Sequence, residues 1–539
     1  MLYILTCIAV TVAFAGADAT KQDFNFGLKF AAFDTANAVF EMNSNTMVVF
    51  GSVSKSNERL LVADKPWEMP PLSRMDNGYP NIIFDSSYSK ARPWRLWYDC
   101  CIRVKNANRC SPSNDLVGLL YAESVDGINW IKPSVGRINF QDSKENNIVL
   151  IKTHGLGVMK DTNPAEPPSR RYKAFGMAYG SRYNSTRCRG VASNKHSICK
   201  NVRGSIFTSA DGINWDSGID LNLHDQNRLG EEVFYVKCSL NFIFHQSQLH
   251  HPSCHTDTHQ NFFYDSRTEQ YVWFTRGKTT MGRSKQLNRT IARFTSKAYD
   301  GPYSNVEVVH AGTAHDQLYE QLVFPYWSVY LGFVVSYDFN FERGSPHDRT
   351  RCELAWSPDS VNWHRLYDER RGTREIIPLS KSANAPDGYD CYPANRPVDV
   401  AIEHSIRLYY FGGNGPHFGY RNSTLMLARL RRDGFAGLTQ RDPLKGPAVV
   451  TSRPLPCNGE PLSVTTDVEI GGSVDVTLLS LSGPAAPIVS LPIRVSGTDR
   501  VVEFPYSGGD IPAGTCKIIF KLHMATLYTF GWPHRDMHS

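Results

Sequence analysis

Tyr121–Pro133 reads YAESVDGINWIKP, and Phe207–Trp215 reads FTSADGINW. Ser-x-Asp-Gly-Ile-Asn-Trp thus occurs twice, with Asp126 and Asp211 85 residues apart. A looser copy, Ser357-Pro358-Asp359-Ser360-Val361-Asn362-Trp363, follows 148 residues later, close to two further periods. The missing copy between them is RFTSKAYDGPY, with Asp300-Gly301, and a fifth is LARLRRDGF, with Asp433-Gly434-Phe435. Each copy follows β-rich runs such as NIIFD, WRLWYDC and VGLLYAES. Asp-Gly between apolar runs is a hairpin signal, because Gly accepts positive φ and the Asp carboxylate accepts from backbone N–H groups further on. The repeated Asp and Trp are therefore read as structural, with the Trp filling space against an adjoining sheet.

Four strands per unit, repeated every 60–90 residues, is the arithmetic of a β-propeller. Five units predict an all-β protein with five blades, at about 79–133, 158–219, 258–309, 320–366 and 392–438. The β-like segment from 26 to 54 is expected to pack on the disc or to complete a blade. From Pro443 the texture changes to short strands such as VDVTLLSL and LPIRV between Gly and Pro turns, without the Asp-Gly-Trp signature. That predicts a separate C-terminal β-sandwich. The expected organisation is a leader at 1–19, a five-bladed β-propeller at 25–440 and a β-sandwich domain at 443–533.

MLYILTCIAVTVAFAGADA has an apolar run from Leu2 to Ala15 and then small residues, which reads as a secretory signal peptide. The run falls short of the roughly 20 apolar residues that span a bilayer, so no membrane anchor is expected. Of twelve cysteines, Cys7 leaves with the leader, and the eleven that remain suit an oxidising compartment. An odd number leaves one thiol free or bonded between chains. Cys110 is a candidate partner for Cys100 or Cys101, and Cys457 and Cys516 are the only cysteines of the sandwich. Sequons at Asn184, Asn288 and Asn422 fit a secreted, extracellular glycoprotein. The formal charge of +6 includes no dense basic run, so nucleic acid is not an expected partner.

A five-bladed propeller followed by a small β-sandwich resembles the glycoside hydrolases of families 32 and 43 and, more closely, a group of secreted family 32-like proteins. The stretches that carry the resemblance include LLVADKPWE, RLWYDC, YAESVDGINWIKPSVGRINF, KENNIVL, KDTNPAEPPSRRYKAFG, FFYDSRTEQYVWFTRG, LVFPYWSVYLGFV, YFGGNGPH and LARLRRDGF, spanning Leu60 to Phe435. The resemblance implies a carbohydrate substrate or ligand at the channel, where the inner strand of each blade begins. Glycoside hydrolysis needs two carboxyls there, one protonated and one ionised, roughly 5–10 Å apart.

Acids at or before the expected inner strands supply the candidates. Asp161, in Lys160-Asp161-Thr162-Asn163-Pro164, partly matches the Arg-Asp-Pro element of family 32, whose Asp holds substrate hydroxyls. Asp257, in the polar run from His255 to Asn261, and Glu320, before LVFPYW, complete the expected catalytic set. Asp76, His259, Asp390 and His417 are expected to contact substrate. The alternating His and Asp of that run fix no ligand set, so no metal and no cofactor are expected. The chain departs from family 32 at the nucleophile motif Trp-x-Asn-Asp-Pro-Asn-Gly, where only Asp76-Asn77-Gly78 remains. The Glu-Cys of the acid/base is also missing, since Cys352-Glu353 is reversed. Two functional classes therefore stay open: a glycosidase whose acids are redistributed around the channel, and a non-catalytic glycan-binding or extracellular-matrix protein.

Overall fold

The computed structural model describes residues 28–532, apart from 72, 104–109, 111–115, 180–201, 221–237, 240–252, 256, 281–286, 305, 314, 339–346, 383, 484–485 and 506–512. Among these residues the protein is all-β, with only short 3-10 turns between strands. Five sheets form the blades, antiparallel except where Cys238–Ser239 pairs parallel with residues 306–307 in blade three. Their inner strands are Asn81–Phe84, Thr153–Lys160, Asn261–Asp265, Asp316–Tyr326 and Asp390–Pro393. Blades one, two and four end on Trp130–Ile131, Ile219–Asp220 and His364–Arg365, and in blade three Cys238–Ser239 lies outside Val306–Ala311. Blade five takes its outer strand from the other end of the chain: Val53–Lys55 pairs with Ala428, Arg429 and Leu430. This exchange closes the ring and removes the sheet edge that an unpaired blade would expose.

All five repeat acids follow the third strand of their blade, as the spacing predicts. Asp126, Asp211 and Asp359 make the same bonds. The carboxylate accepts from the N–H groups two and three residues on at 2.7–2.9 Å, and from the Asn side chain at 2.6–2.7 Å. The preceding Ser hydroxyl donates to the same carboxylate at 2.9–3.0 Å. Burial raises the Asp126 pKa, but these bonds to the charged form together outweigh it and hold the carboxyl down to about 2.

The turn has a second use. Arg95 and Trp97, on the second strand of blade one, donate to the carbonyls of Asp211 and Gly212 in blade two. Arg407 and Tyr409 of blade five do the same for Asp126 and Gly127 in blade one. The repeat Trp packs backward in the same sense: Trp130 meets Tyr409, and Trp363 meets Phe274 of blade three. The repeat is therefore a latch onto the preceding blade. Arg95 is fully buried, with Tyr88, Trp97 and Tyr172 around its guanidinium. Arg95→Leu removes its bonds to Asp211 O and Tyr121 Oη and is expected to cost about 2–3 kcal/mol, read as a lower urea midpoint at unchanged slope.

The second unit is a β-sandwich with two long strands, Ser463–Ser480 and Ala513–Trp532, paired from Ser463↔Gly531 to Ser480↔Cys516. The N-terminal segment joins it. Leu28–Ala31 pairs with Thr529–Trp532, Val39–Met42 with residues 450–452, and Thr46–Phe50 with Ala436–Gln440. The segment expected to pack on the disc or complete a blade thus supplies three strands to the sandwich and one to blade five. Alternation of buried and part-exposed residues along Ser473–Leu479 puts Val474, Val476 and Leu478 into a core with Phe520, Phe530 and Trp532. Disulfides join Cys457 to Cys516 and Cys101 to Cys110, and Cys352–Cys391 ties blade four to blade five. Among the described residues Cys100 is the free cysteine, and it is buried.

Candidate functional site

The loop before blade one carries Asp76-Asn77-Gly78-Tyr79 to the channel. Gly78 has φ +67° and lies against the Phe411 ring, where a Cβ would sit 2.4 Å from ring carbon. The turn aims Asn77 and Tyr79 at Tyr319 of blade four: the Tyr79 and Tyr319 hydroxyls are 3.2 Å apart, and Asn77 Nδ2 donates to both at 2.6 and 3.2 Å. Arg421 of blade five donates to Asn77 Oδ1 and pairs with Asp390 at 3.2 Å. Asp76 accepts from Arg74 Nε at 2.6 Å. His417 Nδ1 meets Tyr392 Oη at 2.6 Å, and its ring lies against Tyr319 and Tyr337. Burial lifts Asp390 to about 6 despite Arg421, and burial with the charges of Arg421, Arg289 and Arg276 keeps His417 neutral, well below its ordinary value.

Blades two, three and four meet beside this cluster. The inner strand of blade two opens Thr153-His154-Gly155, and a Cβ on Gly155 (φ +66°) would sit 1.9 Å from the Thr258 carbonyl. That close approach sets His154 between two carboxylates: Nδ1 is 3.3 Å from Asp99 Oδ2, and Nε2 is 3.2 Å from Asp257 Oδ1. Asp99 also accepts from Gly155 N at 2.6 Å. Burial disfavours a charged imidazole, but the bonds and charges of Asp257 and Asp99 overcome it and carry His154 up to about 9. Asp257 is the solvent-facing member, with 41% of its side chain exposed, and Arg276 Nη1 lies 3.9 Å from its other oxygen.

Glu320, in the inner strand of blade four, is buried. Its Oε2 accepts from Thr258 Oγ1 at 3.1 Å and from His259 N at 3.3 Å, and its Oε1 has no hydrogen-bond partner. Burial raises its pKa to about 8, opposed by Arg276 and these two bonds, so it is protonated at neutral pH. His259, bonded through Nε2 to Asn81 Oδ1 at 3.1 Å, is pushed by burial down to about 3. The site thus places a solvent-facing carboxyl, Asp257, near a buried and protonated one, Glu320; unequal environments of this kind are what general acid–base chemistry uses.

Of the residues expected from sequence, Asp257, Glu320, Asp76, His259, Asp390 and His417 come together here. Asp161 does not. The inner strand of blade two begins at Thr153 rather than Val158, so Asp161 follows its far end, about 23 Å along the strand from His154. There Asp161 forms a buried ion pair with Lys173 and accepts from Tyr271 Oη at 2.9 Å, joining blade two to blade three. The sequon at Asn288 is 2% exposed, that at Asn422 is exposed, and Asn184 lies outside the described residues.

Sequence reasoning missed Asp99, His154, Arg276 and the tyrosines. Asp99 and Arg276 sit inside strands read only as β-runs. His154 was legible from the polar Thr-His before Gly-Leu-Gly-Val-Met, once the strand is started there. Among the described residues no group of three or more His, Cys, Asp or Glu has the geometry to hold a metal ion.

No protein-family model matches the chain, and no curated protein matches it. Among solved structures, it is similar to a glycoside hydrolase at 12% identity and TM-score 0.43, covering 70% of this chain and 93% of that one. A GH32 beta-fructofuranosidase from Bombyx mori is 10% identical with TM-score 0.37, over 88% of this chain and 93% of that one. A family 117 glycoside hydrolase from Zobellia galactanivorans is 12% identical with TM-score 0.38, over 71% and 90%. At these identities the likeness concerns the fold and assigns no role to any residue.

Proposed function

We propose that the protein is a secreted carbohydrate-active protein whose channel mouth receives a saccharide, with Asp257 and Glu320 as the catalytic pair of a glycosidase. The observation that carries this reading is the contrast in surroundings between the two carboxyls. Glu320 is held neutral at pH 7 by burial, while Asp257 is exposed and flanked by His154 and Arg276. Glu320 is the general acid that protonates the leaving oxygen as the glycosidic C–O bond breaks. Asp257 attacks the anomeric carbon or takes the proton of the attacking water. His154, held by Asp99, orients Asp257 and keeps it ionised. Secretion is supported by the apolar leader-like run and by the disulfides.

A non-catalytic glycan-binding role is the second reading. It is favoured by the depth of Glu320, 1% exposed, and by the lost family 32 nucleophile motif. The test is a polysaccharide and oligosaccharide panel read for new reducing ends and for binding together. Asp257→Asn, isosteric and at a solvent-facing position, is expected to lower turnover at least about 10²-fold with folding intact. Binding without turnover in the parent protein selects the second reading, and turnover unchanged in the variant removes Asp257 from the mechanism.

A further inference from the structure

Tyr420-Arg421-Asn422-Ser423-Thr424 ends the loop between the second and third strands of blade five, at the mouth end of the channel. The pairing fixes its level: Gly413, where the second strand ends, pairs with Asp390 on one side and Ser423 on the other. The loop is fastened from within and from the segment before blade one. Arg421 Nη1 donates to the carbonyls of Pro416 and His417, and Asn422 N donates to Asn414 Oδ1 at 2.8 Å. Arg74 Nη2 donates to Gly419 O at 3.2 Å. Tyr420 and Asn422 nevertheless reach solvent, the tyrosine being 46% exposed and the asparagine exposed.

Asn422-Ser423-Thr424 is an acceptor sequence for N-linked glycosylation, with a tyrosine two residues before its asparagine that the sequons at Asn184 and Asn288 lack. Tyr420 Oη donates to Asn422 Oδ1 at 3.1 Å, which sets the ring beside the side chain whose Nδ2 would take a sugar. The Arg74 guanidinium lies 5.6 Å from the centre of the same ring. A half-exposed ring covered on one side by a guanidinium offers its other face, and the C–H face of a pyranose packs there by dispersion and by removing apolar surface from water. Asn288 has the opposite setting. It pairs with Thr279 inside blade three, is 2% exposed, and accepts at Oδ1 from Gln317 Nε2 at 3.4 Å. A bulky, solvated oligosaccharide has no room in a close-packed interior, so a chain modified at Asn288 cannot complete blade three.

We infer that Asn422 carries an N-linked glycan whose first N-acetylglucosamine packs on the open face of Tyr420, and that Asn288 stays bare. The inference rests on the secretory reading above, because the transfer belongs to the secretory pathway. Nδ2 of Asn422 forms a bond to C1 of the first sugar of a lipid-diphosphate oligosaccharide. The C1–O bond to the diphosphate breaks, the lipid diphosphate leaves with the electron pair, and one amide proton is released. The sugar then covers Tyr420 and steadies the loop that carries His417. It stands beside Arg421, which holds Asn77 and Asp390, and so borders the mouth on the blade-five side.

The test makes the full chain in an insect-cell secretory host and in a bacterial periplasm, which adds no glycan, with Asn184→Gln present throughout. The secreted protein is trimmed to one N-acetylglucosamine per occupied site, and its glycopeptides are mapped by mass spectrometry. Asn422 is expected to be occupied and Asn288 unmodified. The trimmed protein is expected to show an unfolding constant about 2- to 10-fold smaller than periplasmic protein of the same sequence. Tyr420→Ala is expected to abolish that difference, and Tyr420→Phe, which keeps the ring and loses only the hydroxyl, to retain it. Secreted protein bare at Asn422, folded protein modified at Asn288, or a sugar effect that survives in Tyr420→Ala or vanishes in Tyr420→Phe overturns the inference and leaves the secretory reading standing. A chain held inside the insect cell with every sequon bare overturns both.

Discussion

At pH 8 the Glu320→Gln variant is expected to be more stable than the parent protein by about 3–4 kcal/mol, and at pH 4 the advantage disappears. The acid's ordinary pKa is 4.5, and burial raises it to about 8 in the folded protein. A carboxyl raised on folding contributes no penalty while both states are protonated, below about pH 4.5. As pH rises toward 8 the unfolded chain ionises and the folded one does not, so each unit costs about 1.4 kcal/mol of stability. Glutamine keeps the shape and accepts the bonds from Thr258 and His259, but it does not ionise. About 1 kcal/mol is deducted for an amide NH₂ placed where Oε1 has no partner. Urea unfolding of both proteins at pH 4, 6 and 8 reads the difference directly, and a difference that does not change with pH removes the buried acid from the account. The same variant is expected to lose turnover. A side chain that weakens the fold at working pH and is held protonated by burial there has the profile expected of a site residue rather than of a packing residue.

Lys29→Met is expected to cost about 3–5 kcal/mol. Lys29 Nζ lies 2.5 Å from Asp433 Oδ2 and 2.6 Å from Asp499 Oδ1, with both Lys29 and Asp433 only 1% exposed. Its ammonium also sits 4.2 Å from the Trp327 ring. Asp433 is the fifth repeat acid, with φ +62°, and it accepts from Trp327 Nε1 at 2.8 Å. Burial alone favours its neutral form, but Lys29 more than offsets this and holds the carboxyl below its usual range. The ion pair thus joins an N-terminal strand of the sandwich to the latch turn of blade five. Methionine keeps the length of the side chain and removes the ammonium that both carboxylates share, leaving Asp433 only the more weakly acting Arg432. Denaturant unfolding measures the loss. Asp433→Asn in the Lys29→Met background is expected to recover part of it, because the buried charge that has lost its ammonium is then gone. A Lys29→Met protein as stable as the parent at neutral pH contradicts the role given to the ion pair.

What the sequence determined by itself is whatever a contiguous stretch can satisfy on its own. Ser-x-Asp-Gly-x-Asn-Trp specifies its turn because the Asp carboxylate reaches N–H groups only two and three residues away. Three such turns at Asp126, Asp211 and Asp359, and the two degenerate copies at Asp300 and Asp433 that their spacing calls for, are therefore countable without any tertiary contact. The Cys457–Cys516 bridge was legible for a similar reason, being the only cysteines in their segment. Tertiary structure alone decided which strands close the ring, since Val53–Lys55 reads no differently from any short β-run until it meets Ala428–Leu430. It also decided the site. His154 gains its charge from Asp99 on one blade and Asp257 on another, Arg421 reaches Asn77 from 344 residues away, and Lys29 reaches Asp433 from 404. Asp161 shows the same limit from the other side: its local sequence resembles a substrate-binding element, yet the start of its strand, set by the close approach of Gly155 to Thr258, turns it away from the channel mouth. Local hydrogen-bond geometry is written in neighbouring residues, whereas burial and charge pairing depend on which distant strands the closed ring brings together.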